Sequence, residues 1–346
     1  MSTASSQPHH LLIASYLESE HVERIRQVDP RLNVIYEPAL LPPPRYPADH
    51  TGAPLVRHAA DEAHWQALLA KAEIMFDFDQ THRADLPDRA PNLRWLQATS
   101  AGIGQFVKTM GYDQRLPNTV FTTASGVHAR PLAEFCMMAL LMHYKRLPHI
   151  MALQRQRHWE RYAAADLEGR TLAVVGLGKI GETVAQMAKG LGMRTIGTRA
   201  RGTSDAVDQF FPPEQLHAML GEADVVVLIV PHTPATEKLI DAAALAAMKP
   251  GAYLINIARG AIIDENALIA ALQRGHLGGA ALDVFATEPL PPDNPLWRMP
   301  NVLVIPHSAS TSDRENERLT DLFCDNIRRY LAGEPLRNVL DTARLY

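Results

Sequence analysis

TLAVVGLGKIG, Thr171 to Gly181, carries the clearest structural signal in the chain. Leu172 to Val175 is a short unbroken apolar run, the signature of a strand buried on both faces. Gly176-Leu177-Gly178-Lys179-Ile180-Gly181 follows directly, and a helical pattern begins around Glu182 and continues to Gly190. Each glycine has a separate reason. The first permits a tight turn, the second lets a pyrophosphate approach the backbone, and the third lets helix and strand pack closely. The helix start then offers free amides and a partial positive charge to phosphate oxygens. A bare glycine triplet is weak; in this strand–turn–helix setting it predicts a dinucleotide site, with a purely structural turn as the plainer reading. Lys179 and Ile180 lie inside the same turn.

Outward from that stretch, strands and helices alternate. Arg194–Gly197, Val225–Val230, Tyr253–Asn256, Gly279–Asp283 and Val302–Ile305 read as strands. Pro213–Leu220, Asp241–Ala247 and Glu265–Arg274 read as the helices between them. This order predicts a doubly wound parallel sheet with right-handed crossovers. Upstream, Leu11–Ala14, Glu73–Phe78, Leu93–Gln97 and Val120–Thr123 read as strands, and Ser19–Gln27 and Asp61–Lys71 as helices, giving a first, smaller α/β unit. PALLPPPRYPADHTG, within Glu37–Gly52, predicts a long loop, because proline fixes φ and removes amide donors. Arg130–Arg146 is a helix apolar on more than one face, which predicts burial between domains or subunits. A last helix falls near Asp313–Leu331.

Composition fits this picture. The chain has 346 residues, about two domains' worth at roughly 150 residues each. With 47% hydrophobic and 21% charged residues and a net charge of −4, it has the profile of a soluble globular protein and gives no sign of nucleic-acid or membrane-surface partners. Its two cysteines, Cys136 and Cys324, sit in apolar helical contexts and read as small core residues. The start, MSTASSQPHH, has no basic region followed by an apolar run, so the expected compartment is the cytoplasm. The scattered histidines show no metal-ligand spacing, and no metal is expected.

An acidic residue usually stands about twenty residues past the glycines, on the ribose hydroxyls. Here that position holds Arg199, flanked by Thr198 and Arg201. An arginine suits a 2′-phosphate, which it meets with paired charged hydrogen bonds. NADP(H) is therefore expected over NAD(H); the alternative is that both arginines are solvated surface charges.

Three titratable groups stand late in the chain, at strand ends where a doubly wound sheet presents its ligand crevice. They are Arg259 in the Ala258-Arg259-Gly260 turn, Glu288 in DVFATEPL (Asp283 to Leu290), and His307 in PHSAS (Pro306 to Ser310). Taken singly, each reads as a structural or surface group; together, downstream of a dinucleotide turn, they gain a joint chemical meaning.

With GLGKIG, the ARG turn, DVFATEPL and PHSAS in this order, the chain resembles the D-isomer-specific 2-hydroxyacid dehydrogenase family from about Leu93 to about Asn338. The resemblance implies two Rossmann-like domains, the nucleotide domain (123–307) inserted into a flavodoxin-like substrate domain built from 1–122 and 308–346. It implies a cleft that closes by a hinge, and a homodimer formed through the nucleotide domain. It implies transfer of a hydride between NAD(P)H and a small 2-oxo acid, glyoxylate or hydroxypyruvate fitting best. His307 would be the acid/base, Glu288 would orient it and favour its charged form, and Arg259 would bind the substrate carboxylate. Backbone amides of Ser100, Ala101 and Gly102 would hold the same carboxylate. Asp283 would contact the nicotinamide amide, and Val230, Pro231 and Ala258 would lie along the cofactor. Two other readings stand beside this one: a phosphite-type dehydrogenase on the same scaffold, and a non-catalytic nucleotide-sensing corepressor. Formate-oxidising relatives carry glutamine in place of the glutamate, so Glu288 argues against formate. His232, near the cofactor side, reads as a packing residue.

Overall fold

The computed structural model describes residues 8–346. It contains two parallel sheets, and the chain divides into two compact units around them: one holds the chain up to Val127 together with Thr311–Tyr346, and the other is His128–Ser310. The seams fall slightly later than the sequence reading places them. Ala124 and Val127 bury in the core of the first unit, so the chain stays with that unit beyond its last strand.

The first unit has five strands: β1 His9–Ile13, β2 Leu32–Ile35, β3 Ile74–Phe76, β4 Trp95–Gln97 and β5 Val120–Thr122. Their order is β2-β1-β3-β4-β5, all parallel. Alternate residues feed opposite faces. Leu12, Met75 and Leu96 enter a cluster with Trp65, Leu69 and Tyr112. Leu11, Ile13, Ile74, Phe76 and Trp95 enter another with Leu319, Phe323 and Ile327 of the last helix, Glu315–Ala332. Phe323 lies with its ring centroid 5.1 Å from those of both Phe76 and Trp95, and so ties the end of the chain to its beginning.

The second unit has seven: β6 Thr171–Val175, β7 Arg194–Thr198, β8 Gln209–Phe210, β9 Val225–Leu228, β10 Ala252–Asn256, β11 Leu277–Leu282 and β12 Val302–Val304. Their order is β12-β11-β10-β9-β6-β7-β8, again parallel throughout. The apolar runs are continuous because both faces are covered. Ala173, Val175, Val226, Leu228 and Leu254 point into one cluster, while Leu172, Val174, Val225, Val227 and Ile255 point into the other. The strand order reverses between β9 and β6, which is where an open α/β sheet leaves its ligand crevice.

The sequence reading passes over β2 and β8. Both are edge strands, two to four residues long, with residues partly exposed, so neither carries a strong apolar pattern. The helix Ala129–Tyr144 is not buried all round. Its inner face packs on the helix Lys179–Gly190, while Met138 and Leu141 remain exposed. The next helix, Leu147–Gln156, buries none of its residues. The proline-rich segment is more ordered than a plain loop: Pro38–Leu40 forms a 3₁₀ turn, and Leu40 and Leu41 enter the core. Cys136 and Cys324 are free and buried. Among the described residues no helix is long and apolar enough to cross a membrane.

Candidate active site

Because the second sheet is parallel, the carboxyl ends of β6, β7, β9, β10, β11 and β12 share one edge. Every residue singled out in this unit lies there or just beyond. The glycine turn follows β6. Gly176 has φ of 113°, a conformation that L side chains rarely adopt, and a Cβ there would stand 2.7 Å from the Ile229 carbonyl. A Cβ on Gly181 would stand 2.3 Å from the Gly176 oxygen, so that glycine sets the approach of helix to turn. Gly178 differs: a Cβ there would meet nothing within 4 Å. The space over Gly178 is the open cradle that a pyrophosphate needs at the start of the helix Lys179–Gly190. Lys179 is exposed on the helix's first turn, and Ile180 packs against the core.

Thr198 ends β7, and its carbonyl accepts the Gly176 and Leu177 amides at 3.0 Å each. Its hydroxyl is buried and has no partner. Arg199 follows. Its Nη1 donates to the Leu177 carbonyl at 3.4 Å and lies 3.6 Å from Glu182 Oε1, while its buried Nε has no partner. Unpaired buried donors are uncommon, and here they flank the cradle. Arg201 is exposed two positions on. Val230 and Pro231 follow β9, with the Val230 amide packed against Gly176. These residues fit an adenine dinucleotide, with a cationic group at the position that distinguishes its two forms.

Arg259 follows β10. Asn256, buried at the strand end, accepts the Ala258 amide at 3.0 Å and donates to the Arg259 carbonyl at 3.2 Å. Arg259 Nη1 donates to the Ala258 carbonyl at 2.6 Å. Burial pulls the Arg259 guanidinium below its ordinary pKa, opposed by the Glu288 and Asp283 carboxylates. The next residue, Gly260, has no room for a side chain, since a Cβ would collide with the Phe285 carbonyl. That contact holds the turns after β10 and β11 together.

Glu288 and His307 meet. Glu288 Oε2 lies 2.8 Å from His307 Nδ1, and Glu288 Oε1 accepts the Phe285 amide at 3.0 Å. With a carboxylate as partner, Nδ1 carries the proton and Nε2 is left for another group. Burial raises the Glu288 pKa, but the His307 hydrogen bond, the Phe285 amide and the positive charges of His307 and Arg259 win, and it lies below the ordinary value. His307 adopts φ of 52°, unusual for a non-glycine residue. Its amide donates to the Asp283 carbonyl at 2.9 Å. The Asp283 side chain accepts the Ser308 and Ala309 amides at 2.7 and 3.0 Å. Burial raises the pKa of Asp283, opposed by those amides. Asp283 thus fixes the turn that aims the imidazole.

The sequence reading missed two supports. Asn256 orients the Arg259 turn, and Glu265 accepts the Ala286 amide and the Asn294 side chain, each at 3.0 Å, bracing the segment that carries Glu288. A buried asparagine ending an apolar strand was a usable signal; Glu265 gave none. His232 lies 4.0 Å from Glu237 after β9 and belongs to neither group.

In the first unit, Ser100, Ala101 and Gly102 form the turn after β4, with Ser100 and Gly102 exposed. The Ser100 carbonyl accepts the Ala124 amide at 3.1 Å, and the Gly102 amide donates to the Ser100 hydroxyl at 3.4 Å.

Comparison with known proteins places this arrangement. Residues 137–309 match the model of the D-isomer specific 2-hydroxyacid dehydrogenase NAD-binding domain. Glyoxylate/hydroxypyruvate reductase B of Citrobacter koseri is 32% identical over 298 residues, covering 84% of this chain and 91% of the relative. A D-isomer specific 2-hydroxyacid dehydrogenase family protein from Aeromonas salmonicida superposes with a TM-score of 0.80 at 30% identity, covering 97% of this chain and 100% of that one. The NADPH-dependent glyoxylate/hydroxypyruvate reductase of Sinorhizobium meliloti, solved with NADP and sulfate, gives a TM-score of 0.79 at 26% identity, covering 98% and 100%. The chain belongs to the D-isomer-specific 2-hydroxyacid dehydrogenase family. It is an NAD(P)-dependent oxidoreductase of 2-hydroxy and 2-oxo acids.

Proposed function

We propose that this enzyme reduces a small 2-oxo acid of the glyoxylate or hydroxypyruvate type to the D-2-hydroxy acid, with NADPH preferred over NADH. The observation that carries the chemistry is the 2.8 Å pair of Glu288 and His307, in the same edge of turns as Arg259. A nicotinamide dinucleotide held at the glycine turn and Arg199 would supply the hydride for the substrate's carbonyl carbon. His307 holds a proton on Nε2 and delivers it to the carbonyl oxygen, taking it back in the oxidative direction. Glu288 accepts the hydrogen bond from Nδ1–H, fixes the ring and favours the imidazolium. Arg259 receives the substrate carboxylate and draws electron density from the carbonyl. Ser100, Ala101 and Gly102 would offer backbone amides to the same carboxylate, and Asp283, which holds the His307 turn, would contact the nicotinamide amide.

Coenzyme preference rests on Arg199. Its unpaired Nε, the orphaned Thr198 hydroxyl and the exposed Arg201 support a 2′-phosphate at the end of β7. The substrate class draws support from the Citrobacter and Sinorhizobium reductases. Initial rates with NADPH and NADH against glyoxylate, hydroxypyruvate, pyruvate and phenylpyruvate test both halves. Turnover only with phenylpyruvate would overturn the substrate assignment, and equal rates with the two coenzymes would overturn the preference. The active form is proposed to be a cytoplasmic homodimer. Met138, Leu141 and Met151 are exposed apolar side chains, and Trp159 is 95% exposed; a second copy would cover them. Light scattering that gives a monomer would remove this part.

A further inference from the structure

Arg259 and Glu265 belong to one fixed stretch of backbone. The Ile262 amide donates to the Arg259 carbonyl at 3.2 Å, and the Ile263 amide to the Gly260 carbonyl at 3.1 Å. Both isoleucine side chains are buried in the core of the second unit. On the other side, the Asp264 amide donates to the Ile240 carbonyl at 3.0 Å, and the Ile240 amide to the Ile262 carbonyl at 3.0 Å. The Asp264 carboxylate then caps the helix Glu265–Gln273 by accepting the Ala267 amide at 3.2 Å. Packing and main-chain bonds therefore fix Arg259 and the start of the helix together.

Glu288 stands on a different kind of support. Val284, Phe285 and Leu290 are buried, but Ala286 to Pro289 lie exposed between them. A side chain on such an excursion is aimed by hydrogen bonds more than by packing. Glu265 supplies them at both ends of the segment. Its Oε2 accepts the Ala286 amide at 3.0 Å, and its Oε1 accepts the Asn294 side-chain amide at 3.0 Å. Asn294 is anchored in turn. Its Oδ1 accepts the amide of fully buried Leu296 at 3.0 Å, and its own amide donates to the Pro291 carbonyl at 3.0 Å. Two consecutive amides thus go to two glutamates: Ala286 to Glu265, and Phe285 to Glu288 Oε1 at 3.0 Å. The backbone of one residue, Phe285, separates these bonds, and Gly260 packs on its carbonyl. From Glu288, Oε2 reaches His307 Nδ1 at 2.8 Å. Hydrogen bonds from N–H groups to carboxylates are among the stronger ones a protein makes.

We propose that Glu265 is a positioning residue for the proton-transfer step: by clasping Ala286 and Asn294 it sets where Glu288 stands, and so how His307 is aimed, relative to Arg259. This rests on the reading above that Glu288 and His307 are the acid–base pair. Glu265 touches none of the reacting atoms. It acts because proton transfer is steep in distance and angle, and a misplacement of about 1 Å can cost on the order of a hundredfold in rate. Arg259 keeps its own supports in Asn256 and the buried isoleucines, and the coenzyme cradle lies beyond β6 and β7. Loss of Glu265 therefore lowers kcat and leaves substrate and coenzyme affinity in place.

A double-substitution cycle on the full chain tests this, read as steady-state kinetics at saturating NADPH with glyoxylate and hydroxypyruvate varied. Glu265→Leu fills the space and accepts nothing. It is expected to lower kcat about tenfold, with KM and NADPH affinity, the latter followed by coenzyme fluorescence, within about twofold of wild type. Glu265→Gln keeps one acceptor oxygen and should lose only about threefold. In a Glu288→Gln background, Glu265→Leu should lower kcat by less than about twofold more, because the group it acts through is already altered. Losses that multiply would mean that Glu265 works by another route and would overturn the proposal. A wild-type kcat in Glu265→Leu overturns it too, as does a rise in KM as large as the fall in kcat. If Glu265→Leu lowers the yield of folded protein, Glu265→Gln carries the same cycle. Glu288→Gln alone separates the two readings. If it lowers kcat while Glu265→Leu does not, the brace fails and the acid–base reading stands. If it leaves kcat unchanged, Glu288 has no part in the proton transfer and the proposal falls with that reading.

Discussion

The two halves of the second sheet's carboxyl edge are finished to different degrees. Beyond β10, β11 and β12, the polar side chains that would act on the substrate already have partners. Glu288 uses both oxygens, Asp283 holds two amides, and Asn256 fixes the arginine turn. Beyond β6 and β7, the Thr198 hydroxyl and Arg199 Nε are buried without partners, and Gly178 faces open space. Glu288 and His307 stand at 2.8 Å, whereas Arg199 and Glu182 stand at 3.6 Å, too far for a hydrogen bond. The difference teaches that the chemical half is preorganised by the protein, while the nucleotide half is shaped to be completed by its ligand. Preorganised dipoles need no rearrangement at the moment of reaction. A coenzyme that binds and leaves needs donors that are free to receive it.

The contrast can be broken first at His307. His307→Ala should lower kcat roughly 10²- to 10⁴-fold while coenzyme binding, followed by fluorescence, stays near wild type. Coenzyme binding lost in parallel would mean that the two halves are not separable. Arg199→Asp probes the opposite half. It should shift the NADPH/NADH ratio of kcat/KM about ten- to a hundredfold toward NADH, with the His307 chemistry intact. An unchanged ratio would remove Arg199 from the phosphate site.

Glu288→Gln should lower kcat by about tenfold or more, because the imidazolium loses its carboxylate. In the wild type, Glu288 titrates below the ordinary carboxylate range, so it stays ionised at neutral and mildly acidic pH. Activity should persist there and fall as the pH drops through that lowered value. An acid limb unchanged by the substitution would show that another group sets it.

Glu182→Gln sharpens the comparison further. Glu182 sits in the first turn of the helix that follows the glycines, receives the Ser204 hydroxyl at 2.8 Å and faces Arg199. Removing its charge should raise NADPH affinity by roughly two- to fivefold, the scale of a partly exposed pair, with NADH affinity nearly unchanged. The smallest effect is expected in the first unit. Burial raises the Asp49 pKa, but the Arg45 and Gly52 hydrogen bonds bring it down to about 2 from an ordinary 3.8. A lowered carboxylate stabilises the fold above its unfolded value, and that stabilisation is lost as the pH falls toward the folded one. Protection of Arg45–Ala53 amides from hydrogen exchange should therefore decline between pH 4 and 2. After discounting for half-exposed Arg45, the loss is on the order of 1 kcal/mol.

Much of this was legible before any coordinates. A strand buried on both faces must be apolar at every position, so TLAVV, VVVL and AYLIN announced the second sheet. The glycine turn, the turns carrying Arg259 and His307, and Arg199 in place of an acid were written in the chain because their chemistry requires particular residue types at fixed local spacing. Edge strands β2 and β8 were not, since half-exposed short segments carry little periodicity. Glu265 was not, because a brace is recognisable only by what it holds. Nor was the 3₁₀ turn of the proline-rich segment, whose composition announced a loop and nothing more. The sequence by itself determined the fold class and the family, and it singled out the residues proposed to carry the chemistry, since these depend on local pattern. Only the tertiary structure decided which groups meet: the 2.8 Å contact of Glu288 with His307, the unpaired Nε of Arg199, and the hold of Glu265 on the Ala286 amide. Those relations join residues distant in the chain, and no local rule of spacing fixes them.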